Sequence, residues 1–217
     1  IDRYDKDGTN DMPGLKFPVN KWRIETEWQS FWCSSNADTS LAVAKEFTKY
    51  VNMTANVIKT KQPTFTVSFA GMDLIHDKTI FYDGYTSPEP SYCLSNCNTS
   101  ISLTQTQMST DANFLAKRRN MIYILRNCNV DEIDIHQYGR WQYIPNTIKW
   151  YKDSAYTGTK PINFLEGAGP FCKLCEPIYH LGTDTDGRLP ASLVRDNSSY
   201  VVYWHMMSLA NKVKFLS

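Results

Sequence analysis

Hydrophobic and polar positions change period along this chain, and the changes predict its elements. Large and small side chains alternate from Trp22 to Trp32, and Ser34 to Ser40 then break the pattern. From Asp38, a residue type suited to a helix N-cap, Val43, Phe47, Tyr50 and Val51 recur at spacings of three and four, which predicts a helix ending near Asn52. The period then falls to two. Phe65, Val67 and Phe69 alternate with Thr64, Thr66 and Ser68, and Thr79 to Tyr82 form a β-branched and aromatic run, so both read as strands. Ile101 and Leu103 start another short alternation. Residues 109–126, free of Gly and Pro, predict a second helix.

Beyond Cys128 the pattern reads as β. Ile133 to His136, Arg140 to Ile144, Thr147 to Tyr151 and Tyr200 to Met207 are the expected strands, with turns at Gly139, Pro145, Gly158 and Gly167 to Pro170. The expected fold class is therefore α+β and β-rich, with a mixed first half and an all-β second half. The expected parts are an irregular arm over 1–20, an α/β part over 21–128, a β-rich part over 129–198 and a returning strand over 199–217.

Composition narrows the function. With 23 basic and 22 acidic side chains among 217 residues, the chain has no field of one sign for phosphate backbones, so nucleic acid is not an expected partner. No apolar run reaches the roughly 20 residues of a membrane span, so any membrane link is expected through a segment outside this sequence. The first residue is Ile, which predicts a processed precursor or a cut chain.

Six cysteines, Cys33, Cys93, Cys97, Cys128, Cys172 and Cys175, form an even set of the kind that oxidising compartments pair, and sequons stand at Asn52, Asn98 and Asn197. Both features predict an extracellular, disulfide-bonded glycoprotein. Cys172 and Cys175 have redox spacing, and with Cys93 and Cys97 could make a zinc site. Structural disulfides are preferred, because no helix start follows the motif and two cysteines would be left over.

Asp5-Lys6-Asp7-Gly8 and Asp184-Thr185-Asp186-Gly187 resemble calcium loops but lack the full ligand series, so both read as turns. Glu132, Asp134 and His136 share one strand face and read as a polar face in water rather than a metal site. No metal and no cofactor is expected. His76, His180 and His205 show no spacing that links them to a nucleophile, and the common hydrolase and nucleotide motifs are absent. The densest chemistry is aromatic. Tyr138, Arg140, Trp141, Tyr143, Trp150 and Tyr151 combine flat rings with hydrogen-bond donors, which suits sugars and protein partners.

The segment Thr79-Ile80-Phe81-Tyr82-Asp83-Gly84-Tyr85-Thr86-Ser87-Pro88, followed by Cys93, resembles the phrase F-Y-E-G-V-N-x-[ST]-P of the viral hemagglutinin-esterase family of influenza C, coronaviruses and toroviruses. Asp83 stands for the Glu. Trp28 to Ser34 is similar to the stretch that holds the family's F-G-D-S nucleophile, with Ser34 at the serine, and Asn120 to Cys128 looks like the helix and cysteine that follow. The resemblance covers residues 28–128. It implies a degenerate esterase-like α/β layer carrying an antiparallel, jelly-roll-like receptor-binding module. The implied function is attachment of a viral envelope head to a host receptor, a sialylated glycan or a protein, at the virion surface; a homo-oligomer is left open.

Departures from the family pattern matter to the chemistry. The family's oxyanion-hole Asn falls on Tyr85 or Thr86, Trp32 and Cys33 replace the Gly and Asp before the nucleophile, and no D-x-x-H stands near the C-terminus. Esterase activity is therefore expected to be absent, with Ser34 vestigial. Two alternatives stand beside this reading: an active carbohydrate O-acetyl esterase using Ser34 with His180 or His205, and a secreted small-ligand-binding β-barrel.

Overall fold

A computed structural model describes residues 3–25, 40–70, 79–85, 105–138, 144–155 and 160–168, with 206–207, 210 and 214–215. The elements are β1 (Lys21–Ile24), α1 (Leu41–Lys61), β2 (Thr66–Ala70), α2 (Gln105–Thr110), α3 (Ala112–Asn127), β3 (Glu132–Tyr138), α4 (Ile144–Trp150), β4 (Ile162–Ala168) and the two-residue β5 (Lys214–Phe215). A short π-helical turn, Tyr151–Ala155, continues α4.

All five strands lie in one sheet in the order β1-β2-β3-β4-β5, and every neighbouring pair is parallel. This overturns the expected β-rich class and its antiparallel jelly-roll module. β3 and β4, which fall in the second half, pair with each other and continue the sheet begun by β1 and β2. The physical reason lies in the connections. Parallel neighbours need a crossover, and α1, α3 and α4 supply helices between successive strands.

Two expected strands are helical. Residues 79–82 form one helical turn that ends at Gly84, whose φ of +82° is open to glycine at little cost. Residues 147–151 belong to α4 and the turn after it. Their β-branched and aromatic types suggested a strand, yet Ile144, Thr147, Ile148 and Tyr151 also fall at spacings of three and four, and all four are buried. Pro145 sits in the first turn of α4, where its missing N–H costs nothing.

The remaining differences are local. α1 runs nine residues past Asn52 because Ala55 and Ile58 keep its apolar face buried. The helix expected over 109–126 is two helices broken at Asp111, whose side chain accepts from the backbone N–H of Asn113 and of Phe114 and so caps α3. Gly167, expected in a turn, lies in β4. Met206 and Met207, expected in a strand, are helical. α1 begins at Leu41 with Ser40 at its N-cap, three residues after the expected start near Asp38, and the elements expected at Ile101, Leu103, 139–143, Gly158 and 200–205 fall outside the described residues.

The core lies between the helices and one face of the sheet. Ile24, Val67, Phe69, Ile133, Ile135, Ile162 and Phe164 point to that face, and Phe47, Val51 and Ile58 of α1 and Met121, Ile124 and Leu125 of α3 meet them in one apolar cluster. Burial of such side chains contributes about 1.5–3 kcal/mol each. Asn52 locks the two long helices at one end: its amide nitrogen donates to Asn127 O and its Oδ1 accepts from Asn129 N.

Asp83 fixes the short turn to the helices. Arg118 on α3 grips its carboxylate through Nε and Nη2 at 3.0 and 2.8 Å, and Trp150 Nε1 donates to Oδ2 at 2.8 Å. No described helix is long and apolar enough to cross a membrane.

Candidate functional site

Period two gives the sheet its second face. Between the core-facing residues stand Lys21 and Arg23 on β1, Ser68 on β2, Glu132 and Asp134 on β3 and Asn163 on β4. These side chains meet. Asp134 Oδ2 accepts from Arg23 Nε at 2.9 Å and from Ser68 Oγ at 2.7 Å. Asn163 Nδ2 donates to Asp134 Oδ1 at 2.7 Å and to Glu132 Oε2 at 2.9 Å, and Lys21 Nζ pairs with the same Glu132 oxygen.

Burial makes the network costly to break. Asp134 is 1% exposed, Ser68 and Asn163 are 0%, and Glu132 is 8%. Two cations compensate two carboxylates, which is the condition under which such charges survive out of water. The face expected in water is thus a desolvated polar layer. Asn163 Oδ1 is buried with no hydrogen-bond partner, leaving one acceptor open on this face.

A register shift follows immediately. Ile135 pairs with Phe164, but His136 pairs with Glu166, so Leu165 is an extra residue on β4, and the pairing continues through Gln137↔Gly167 to Tyr138↔Ala168. Bulges of this kind recur beside active sites. Because the sheet is wholly parallel, the carboxyl ends of its strands share one edge, where open and closed α/β sheets alike hold their ligands.

The segments that follow these ends in the chain carry most residues singled out from sequence. Cys33 and Ser34 follow β1, His76 follows β2, Arg140, Trp141 and Tyr143 follow β3, and Cys172, Cys175 and His180 follow β4. All of these lie outside the described residues, as do Cys93, Cys97, Asn98, Asn197 and His205.

Other candidates fall elsewhere. Trp150 and Tyr151 are fully buried and stack edge to face, with ring centroids 4.9 Å apart, so core packing uses two of the six expected receptor contacts. Tyr138 ends β3. Asn52 lies in the middle of α1, where its side-chain amide is engaged by Asn127 O and Asn129 N. Cys128, expected in a disulfide, is a free buried thiol. Burial pushes it up to about 12, against the charge of Lys160 and a hydrogen bond with Thr48. Burial likewise holds Lys160 below its ordinary range despite Cys128 and Asp131 nearby.

The arm closes on its own carboxylates. Asp11 accepts from the backbone N–H of Lys6 and Gly8, each at 2.9 Å, and Asp7 accepts from Thr9 N at 2.8 Å. Asp5, Asp7 and Asp11 bring ligand atoms within 4.8 Å of one another.

Sequence reasoning passed over Lys21, Arg23, Ser68 and Asn163. The signal was present in the alternations Lys21-Trp22-Arg23-Ile24 and Ile162-Asn163-Phe164, each with polar residues on the face shared by Glu132 and Asp134. Comparison with protein-family models, with curated proteins and with solved structures finds no match to this chain.

Proposed function

We propose that this chain is a carbohydrate-active hydrolase that cleaves a glycosidic bond with two carboxylates held at the carboxyl ends of its parallel strands. One observation carries the reading: strands that follow one another in strict sequential order, all parallel, with helices on one face and a polar layer on the other. That order is the arc of a (β/α) barrel, a fold whose chemistry sits at the carboxyl ends of the strands.

Carboxylates at or just beyond those ends are few. Glu25 and Glu27 follow β1, Asp73 follows β2, and Glu166 lies in β4 opposite His136. Glu25 is engaged by the Tyr50 hydroxyl on the helix side, at 2.9 Å. Glu166 is therefore the first carboxylate of the proposed pair, and Glu27 or Asp73 the second. One carboxyl group protonates the leaving oxygen while the other attacks the anomeric carbon or activates water, the division of labour common to glycosidases. Aromatic residues of the segments after β1 and β3, among them Trp28, Trp32, Trp141 and Tyr143, supply flat surfaces that suit sugar rings.

The test is hydrolysis of a panel of aryl glycosides and polysaccharides. Glu166→Gln should lower the rate by a hundredfold or more, about the loss expected for a missing acid or base. Hydrolysis unaffected by Glu166→Gln, Glu27→Gln and Asp73→Asn would sink the proposal. Acetyl-ester hydrolysis abolished by Ser34→Ala would instead favour the esterase alternative, and glycan binding without turnover would favour receptor attachment.

A further inference from the structure

Two arginines of this fold spend their donors differently. Arg118 grips Asp83 through Nε and Nη2 together, which closes one edge of its guanidinium. Arg23 donates to Asp134 through Nε alone, at 2.9 Å, and among the described residues no group accepts from its Nη1 or Nη2. Its side chain is 33% exposed, although the Asp134 side chain that anchors it is fully buried. The guanidinium is thus fixed at one nitrogen and open at the other two. The backbone keeps this fork clear. Arg23 is the last residue of β1 on the polar face, and continued alternation would set the Glu25 carboxylate beside it on that face. Instead Glu25 takes a φ of +57°, uncommon for a residue with a side chain, and its carboxylate accepts from the Tyr50 hydroxyl on the helix side. Strained backbone of this kind persists where the surrounding structure holds it, commonly at binding sites. Here it removes an acid that would otherwise pair with the arginine.

We propose that Arg23 binds a sugar carboxylate, so that the glycan this chain cleaves contains uronic acid. Nη1 and Nη2 present parallel N–H groups that fit the two oxygens of a carboxylate, and the anchor on Asp134 lowers the entropy lost when they engage. A singly charged group suits the place. Glu132 and Asp134 stand nearby, offset only by Lys21 and Arg23, so a phosphate dianion would meet more repulsion than a carboxylate. Arg23 also stands near the carboxyl end of β1, the edge at which the hydrolase reading places the glycan. This inference rests on that reading and names its substrate class.

Calorimetric titration of the whole chain with trigalacturonate, with its methyl ester and with inorganic phosphate tests it. The acid should bind about tenfold or more tightly than the ester. Arg23→Lys keeps a charge beside Asp134 but not the fork, and should weaken binding of the acid by about tenfold to a hundredfold and of the ester far less. Failure of wild type to bind the acid, or equal affinity for acid and ester, overturns the proposal, and that comparison needs no variant. So does a folded Arg23→Lys that discriminates as well as wild type, or phosphate that binds as tightly as the trisaccharide. Acid-selective binding without hydrolysis of polygalacturonate leaves the carboxylate site standing and sinks the proposed function. Hydrolysis of neutral glycans with no preference for the acid does the reverse.

Discussion

Asp134 and Asn163 are register partners on β3 and β4, and Asn163 Nδ2 donates to Asp134 Oδ1 across 2.7 Å. The other carboxylate oxygen takes Arg23 from β1 and Ser68 from β2, so this side chain ties the four main strands together. Asp134→Ala should therefore cost about 2–4 kcal/mol in urea unfolding, because Ser68 Oγ and one N–H of Asn163 lose their acceptor in a buried layer, while the Arg23 guanidinium, 33% exposed, keeps access to water. A loss below about 1 kcal/mol would show that water reaches the layer.

Asp83 is expected to behave as a structural hub. Asp83→Ala should destabilise the fold by about 2–4 kcal/mol, since the Arg118 guanidinium and the Trp150 indole N–H lose their acceptor together. Arg118→Met and Trp150→Phe should each cost less, and in the Asp83→Ala background neither should cost as much again. Strict additivity in that cycle would separate the two contacts.

Cys128 should resist thiol reagents at pH 8 in the native state and react only on unfolding, because burial keeps it protonated up to about 12. Peptide mapping after alkylation without reductant reads this directly. Recovery of Cys128 in a cross-linked peptide would contradict the free thiol.

Asp131 gives the fold a dependence on acid. Desolvation pushes its carboxyl up, but the Lys59 hydrogen bond, the Val67 backbone N–H at 2.7 Å and the charges of Lys59 and Lys160 outweigh that and leave it below its ordinary range. A depressed carboxyl stabilises the fold above its unfolded-state pKa, and that contribution disappears as pH falls through the folded-state value. The side chain is 41% exposed, so screening keeps the contribution below about 1 kcal/mol. The stability gap between wild type and Asp131→Asn should narrow on acidification below about pH 4. A gap that stays constant there would refute the assignment.

The sequence made the apolar side of this fold legible and left its connectivity hidden. Phe47 and Val51 marked α1, and Phe65 to Phe69 and Ile133 to Ile135 marked two central strands, because burial on one face leaves a period that can be read directly. Strand direction leaves no such mark. Taking Thr147 to Tyr151 as a strand removed the helix that makes β3 and β4 parallel, so the second half read as all β, and the antiparallel arrangement came from the family resemblance alone. β4 itself was hidden by Gly167, which read as the start of a turn, and by the extra residue that breaks its alternation. The polar layer was half visible, since Glu132 and Asp134 showed a shared face. Its burial depends on partners from three other strands.

Sequential strand order also bears on how the chain reaches this state. Among the described residues each strand pairs with the one before it in the chain, and the shortest connection, through α4, joins β3 to β4. Closing a short loop costs the least entropy, so this pair is the natural nucleus on which β2 and then β1 assemble. Substitutions that weaken α4 should accordingly slow refolding, whereas substitutions at β1 should mainly speed unfolding.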